Sequence, residues 1–203
     1  MNNPKSLPEI AHTYHQRLGE TGDDYRTVGW GSRESQQLRF EILSKDMNLS
    51  NKTILDVGCG LGDFFVYLKR HYTNIEYIGI DICESFITTA RKKFNTESNC
   101  NFYACDALKA DFRDVDFCFA SGSFSLAFEG IEKYVHKAIP HLFNLAKEGC
   151  AFNFLSTQCD YQLSKDKHYE PEKMLKLAYT LSRKVNLLSA YELYEFTLQI
   201  NKK

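Results

Sequence analysis

Three glycines within five residues, Gly58-Cys59-Gly60-Leu61-Gly62, follow directly on Thr53-Ile54-Leu55-Asp56-Val57, a mainly apolar run that reads as a buried strand. A glycine-rich turn between strand and helix lets backbone N–H groups approach a ligand closely, and the helix after it favours negative charge at its start. The chemistry this suggests is binding of a nucleotide cofactor. By itself the turn would equally suit a tight structural corner, so its neighbours decide. A dinucleotide fingerprint, G-x-G-x-x-G, needs its third glycine at position 63, where Asp63 stands. Asp56, two residues before the first glycine, places a carboxylate where it would repel a pyrophosphate but suit a cationic cofactor. Asp81 ends the next apolar run, Glu76 to Asp81, at the carboxyl edge where open α/β sheets bind ligands, and is placed to accept from both hydroxyls of a ribose. Asp106 follows the third run at the same edge. Any one of these acids alone reads as a strand-end carboxylate, a turn or a cap; Asp56 and Asp81 around one glycine turn read as a site.

The elements that must position them alternate short apolar runs with longer amphipathic ones, the pattern of a parallel sheet covered by helices. After the glycine turn a helix runs from about Asp63 to His71, and another from about Glu84 to Phe94, with Phe86, Ile87, Ala90 and Phe94 on one face. Strands follow at Asn101–Ala104 and Val115–Ala120, then a helix at Gly130–Leu145 stopped by Gly149, and a fifth strand at Cys150–Leu155. A polar loop over Ser156–Glu170 leads to a helix opened by Pro171 and running to about Ser182. Val185–Leu188 and Phe196–Gln199 are too close for a helical crossover and should pair as an antiparallel hairpin. The expected fold is α/β: a three-layer Rossmann-like sandwich with a seven-stranded, mostly parallel sheet and one antiparallel strand from the C-terminal hairpin. One domain is expected over 1–203, with a helical lid in 1–48 and the Rossmann-like core in 49–203.

Over roughly residues 50 to 200 these motifs closely resemble the S-adenosylmethionine-dependent methyltransferases of the Rossmann-like class, class I. D-V-G-C-G-x-G is similar to the family's first motif, Ile80-Asp81-Ile82 to its second, and Ala104-Cys105-Asp106-Ala107 to its adenine-edge element. The resemblance implies S-adenosyl-L-methionine as cofactor and S-adenosyl-L-homocysteine as product. It implies that Asp56, Gly58, Cys59, Gly60 and Gly62 line the methionine end, Asp81 binds the ribose and Ile82 packs on the adenine. Asp106 would accept from the adenine amine, the Ala107 N–H would face the ring, and Ser121 would join the cofactor set. In related enzymes the N-terminal segment folds over the cofactor as a lid, which would bring Trp30 and Arg33 to the methionine moiety, Arg33 as partner for its carboxylate, with Tyr14 and Tyr25 walling the acceptor site. The plainer reading is that these aromatics dock a helix on the core and Arg33 makes a surface pair.

Methyl transfer from a sulfonium needs an in-line nucleophile and a dry pocket, so proximity can supply much of the acceleration without a dedicated base. Ala120-Ser121-Gly122-Ser123-Phe124 departs from the N-P-P-Y or D-P-P-Y element of amino-methyltransferases acting on nucleic acid or glutamine, and lacks the acid by which catechol-type enzymes hold magnesium. A metal-free transfer to an oxygen or nitrogen of a small molecule is the reading left. His168, in the loop after the fifth strand, is the best titratable base candidate, with Tyr14 and Tyr25 behind it; a solvated loop histidine is the simpler account. His12 and His15 lie one helical turn apart without a third ligand and read as surface residues.

Composition agrees. The 203 residues carry 25 basic and 26 acidic side chains, a formal net charge of −1, which gives no general affinity for a phosphate backbone. The seven cysteines are dispersed and never form C-x-x-C, so they read as reduced, buried thiols and no metal site is expected. Met1-Asn2-Asn3-Pro4-Lys5 has no apolar leader core and no apolar run reaches membrane-spanning length, so a cytoplasmic protein without membrane contact is expected. Three alternatives stand beside the small-molecule enzyme: a methyltransferase acting on protein or RNA, a non-catalytic cofactor-binding module regulating a partner, and an NAD-linked dehydrogenase.

Overall fold

The computed structural model describes residues 6–22 and 25–202. Helices α1 (Leu7–Thr21) and α2 (Arg33–Leu43) precede a core of β1 (Thr53–Val57), α3 (Asp63–His71), β2 (Glu76–Asp81), α4 (Glu84–Lys93), β3 (Cys100–Ala104) and β4 (Phe117–Ala120). Then come α5 (Ile131–Leu145), β5 (Gly149–Ser156), β6 (His168–Tyr169), α6 (Pro171–Tyr179), β7 (Lys184–Leu188) and β8 (Glu195–Asn201). The strands form one sheet in the order β3-β2-β1-β4-β5-β8-β7. All pairings are parallel except those of β8, which runs against both β5 and β7.

The sandwich follows from the strand sequences. Along β1, Ile54 belongs to one apolar layer and Leu55 and Val57 to the other; along β4, Phe117 and Phe119 face the first layer and Cys118 and Ala120 the second. Successive side chains point to opposite faces, so a strand apolar at every position must be covered on both. Phe40 and Leu43 of α2 and Phe64, Phe65 and Leu68 of α3 fill the first layer, and Val135, Ile139 and Leu142 of α5 fill the second. Helix ends are marked locally. Ser32 accepts from the Ser35 N–H and Ser35 answers at the Ser32 N–H, a capping box opening α2. In α3 and α4 an acid stands in the first turn and a cluster of bases in the last, matching the helix dipole.

The hairpin, its single reversed strand and the helix positions follow the sequence reading, with local corrections. The stretch 156–170 is not wholly a loop: His168–Tyr169 pairs parallel with Leu155–Ser156 as an eighth, two-residue strand. Gly149 does not stop α5, which ends at Leu145; it opens β5, where a Cβ would lie 2.6 Å from the Ile200 carbonyl oxygen, so the close approach of β8 requires glycine. The last helix ends at Tyr179, three residues early, with Thr180 as its C-cap. No helix of the described residues is long and apolar enough to cross a membrane.

Candidate active site

At the carboxyl edge of β1, β2 and β4 lies a cavity of about 170 Å³. The glycine turn forms its floor, α1 and residues 28–30 one wall, and residues 121–126 the other. Gly58 and Gly60 take the left-handed backbone, φ +72° and +55°. Their missing side chains admit the two covering segments. A Cβ on Gly60 would lie 2.8 Å from Val28 Cγ1, and one on Gly58 would lie 2.8 Å from Ser123 Cβ. The turn's N–H groups are largely engaged: those of Gly58 and Cys59 donate to the Ile80 carbonyl at 2.7 and 3.0 Å, and that of Gly62 to the Cys59 carbonyl. The turn thus offers close approach more than free donors.

The two central carboxylates are held from below. Asp81 accepts from the Gly60 N–H at 3.0 Å on one oxygen and from the Cys83 N–H at 2.8 Å on the other. Asp56 accepts from the Tyr77 hydroxyl at 2.5 Å. Both are buried. Burial pushes the Asp56 carboxyl up to about 7, against the lowering effect of the Tyr77 bond, and Asp81 up to about 6, against its N–H donors. Burial thus favours the neutral form of Asp56, and a cation beside it would favour the carboxylate. Burial likewise lifts the Cys59 thiol far above its usual range, so Cys59 is inert packing against Gly79.

Ten of the residues singled out in the sequence reach this cavity: Asp56, Gly58, Cys59, Gly60, Asp81 and Ile82, together with Tyr14, Trp30, Ala107 and Ser121. The rest are placed elsewhere. Gly62 is the left-handed N-cap of α3 and packs on Phe94 and Phe102. Asp106 caps a short 3₁₀ turn, accepting from the Leu108 N–H at 2.9 Å and from the Tyr134 hydroxyl at 2.7 Å, and lines a shallower neighbouring cavity with His12 and His15. Arg33 is exposed at the start of α2, with its guanidinium 5.5 Å from the Tyr25 ring, and neither lines the cavity. His168 lies in β6 off the cavity wall, its Nδ1 buried without a partner. Tyr14 does line the wall, but burial pushes its hydroxyl up to about 12, which makes it a poor base.

Three lining residues carry no sequence signal: Arg17, whose guanidinium stacks 5.2 Å from the Tyr14 ring, and Lys165 and Asp166. The latter two arrive because the loop after β5 folds back: the Ala127 N–H donates to the Lys165 carbonyl and the Lys167 N–H to the Ser125 carbonyl. Only the alternation of helical positions Ile10, Tyr14 and Arg17 on one face of α1 could have pointed to Arg17. Among the described residues no three His, Cys, Asp or Glu side chains are grouped to hold a metal ion.

One observation inside the cavity speaks for a polar ligand. Ser121 Oγ is buried there with no hydrogen-bond partner among the described residues, which is costly unless something that binds supplies one. Together with a carboxylate at each of two strand ends, this donor and acceptor set suits a cofactor with a cationic end and a hydroxylated ribose.

Residues 54–149 match the family model described as a methyltransferase domain. A putative methyltransferase of Mycobacterium tuberculosis is 29% identical over 157 residues, 74% of this chain and 93% of the relative. The ubiquinone biosynthesis O-methyltransferase of Hydrogenovibrio crunogenus is 32% identical over 100 residues, 49% of this chain and 37% of that protein. Among solved structures, the magnesium protoporphyrin IX methyltransferase of Synechocystis PCC 6803 with bound S-adenosylmethionine shares the fold, with a TM-score of 0.70 at 18% identity over 100% of both chains. The glycine turn and the two buried carboxylates thus lie within a segment that matches a methyltransferase domain, in a chain whose fold is shared with a solved S-adenosylmethionine-bound methyltransferase.

Proposed function

We propose that this methyltransferase acts on an oxygen or nitrogen of a small molecule held in the cavity above the glycine turn, without a metal. The observation that carries this reading is the wall itself: Tyr14, Trp30, Phe124, Leu126, Phe128 and Tyr134 enclose the space from α1, the covering loops and α5. Such a wall excludes water and grips a compact, largely apolar molecule by its faces. The small-molecule enzymes among the relatives support it, although relatives named as RNA methyltransferases occur as well.

Bound S-adenosylmethionine supplies an electrophilic methyl group on a sulfonium. The chain's own residues would then do the following. Asp81, fixed by two N–H donors, accepts from the ribose; Asp56 offers negative charge near the methionine end; Ser121 Oγ gains the partner it lacks; Ile82 and Ala107 bracket the adenine. Tyr14 and Trp30 keep water out and hold the acceptor in line. No residue is assigned as general base.

The test is thermal unfolding followed by calorimetry with S-adenosylmethionine, S-adenosylhomocysteine and NADH, then transfer of labelled methyl to panels of phenols, carboxylic acids and amines, with total RNA and protein in parallel. A melting shift with the sulfur cofactors alone and label in a small molecule is the expected result. Label confined to RNA or protein overturns the acceptor class, and tight binding without turnover on any panel marks a regulatory module.

A further inference from the structure

We propose that the buried ion pair between Arg39 and Glu195 is a positioning clamp for the cavity, holding the two segments that cover the glycine turn, residues 28–30 and 121–123, against the edge of the sheet. This rests on the cavity being the cofactor site.

The clamp is a closed ring of contacts. Arg39, on α2, donates from Nε to both Glu195 oxygens at 2.9 Å, and its terminal nitrogen also reaches Glu195. The two side chains are only 11% and 4% exposed. The other Glu195 oxygen accepts from Asn153 Nδ2 at 3.3 Å, and Asn153 Oδ1 accepts from the Gly122 N–H at 2.6 Å. From the opposite side the Arg39 guanidinium lies 4.3 Å from the Trp30 ring. Trp30 in turn packs on Gly122 so closely that a Cβ there would come within 3.2 Å of three ring carbons. Charge, hydrogen bonds and ring stacking thus join α2, β8, β5 and both covering segments.

Two features set this apart from ordinary packing. Taking a bidentate ion pair out of water is expensive, and an apolar pair of like volume would stabilise the fold at least as well. What the apolar pair could not do is hold a planar cation over the Trp30 ring while gripping Asn153 with the partner carboxylate. Moreover, Trp30 and Gly122 both line the cavity, whereas Arg39, Glu195 and Asn153 do not, so the three act through others.

Trp30 is the sole tryptophan of the chain, so its fluorescence reports this ring directly. In Arg39→Leu/Glu195→Leu no buried charge is left unpaired, and the fold should persist by circular dichroism. Ligand-free Trp30 should become more accessible to acrylamide, and S-adenosylhomocysteine should bind roughly tenfold more weakly, mid-range for residues of one network. Arg39→Lys, which keeps the charge but not the flat fork, should behave like the double variant and not like the parent. The proposal is overturned if the folded double variant keeps parental quenching and affinity, or if only one of the two changes. Should the double variant fail to fold, Arg39→Lys decides, since it leaves a cation for Glu195 and replaces no cavity residue: parental quenching and affinity there overturn the proposal. A parent protein that binds no S-adenosylhomocysteine would count against the cofactor assignment, while ligand-free quenching still judges the clamp.

Discussion

Replacing Gly58 by alanine tests the site's construction most directly. Gly58 sits at φ +72°, and a Cβ there would lie 2.8 Å from Ser123 Cβ and closer still to its Oγ, which donates to the Val57 carbonyl at 2.5 Å. The left-handed backbone costs alanine about 1–2 kcal/mol. Pushing Ser123 aside sacrifices a partly exposed hydrogen bond of about 0.5–1 kcal/mol. Alanine recovers about 0.4–1 kcal/mol by stiffening the unfolded chain. The net loss is about 1–2 kcal/mol, or a fall in melting temperature of about 3–6 °C for a chain of this size. Ser123→Gly alone should lose only the hydrogen bond. In Gly58→Ala/Ser123→Gly the collision is gone and only the strain remains, so the double variant should lose less than the two single losses added together. Thermal melts by circular dichroism of the four proteins measure this. A neutral Gly58→Ala would refute the left-handed turn, and strictly additive losses would refute the seat of Ser123 on Gly58.

Stability should depend on pH through the buried acids. Asp56 and Asp81 are held up to about 7 and about 6, above the roughly 3.9 of an unfolded aspartate, so the folded state keeps protons that the unfolded state releases. Their contribution is complete below about pH 4 and lost as pH rises through 6 to 7: the ligand-free melting temperature should fall from pH 5 to pH 8, less steeply in Asp56→Asn, and a rise over that window in both proteins would sink the argument. Asp81→Ala leaves the Gly60 and Cys83 N–H groups without acceptors, and should abolish the melting shift given by S-adenosylhomocysteine; calorimetry showing parental affinity would speak against Asp81 as a ligand. Native alkylation read by mass spectrometry should modify Cys159 and spare Cys59, Cys118 and Cys150, whose thiols are buried; early labelling of Cys118 would contradict a closed sheet. His168→Gln should leave methyl transfer unchanged across pH, because β6 holds this side chain off the cavity wall; a lost acid limb in the rate profile would restore it as a base.

The fold was readable wherever burial on both faces writes itself as an unbroken apolar run. β1 and β2 fall on the residues expected, and β4 and β5 within two, because most positions there are apolar or small. β8 shows where that logic stops. Glu195-Phe196-Thr197-Leu198-Gln199-Ile200 alternates like a half-solvated strand, yet Glu195, Thr197 and Gln199 are buried. Thr197 meets the nearby Tyr191 hydroxyl at 3.2 Å, but Glu195 and Gln199 draw on α2 and its end, with Arg39 on Glu195 and the Lys45 carbonyl accepting from Gln199 at 2.9 Å. Polar burial of this kind depends on a partner more than 150 residues away, which no local pattern announces. The glycine turn and its acids were legible for the opposite reason, since their chemistry is packed into one short segment. The cavity's far wall was not, because Lys165 and Asp166 are brought there by loop pairing, whose side chains follow no period, and Arg17 by the docking of α1 over the site.

The reversal of β8 also sets an order of events during synthesis. β5 has its β4 neighbour early, but its other edge waits for β8, which follows β7 in the chain yet lies between β7 and β5. That edge therefore stays unpaired until the last strand of the chain has been made and docks on it. Until it does, a growing chain displays the apolar edge of β5 as an open template for misplaced strands. Arg39, made 156 residues before its partner, spends the same interval without Glu195. The sheet's seal and the final settling of the covering segments both wait on long-range contacts made late in the chain, of the kind that slows folding.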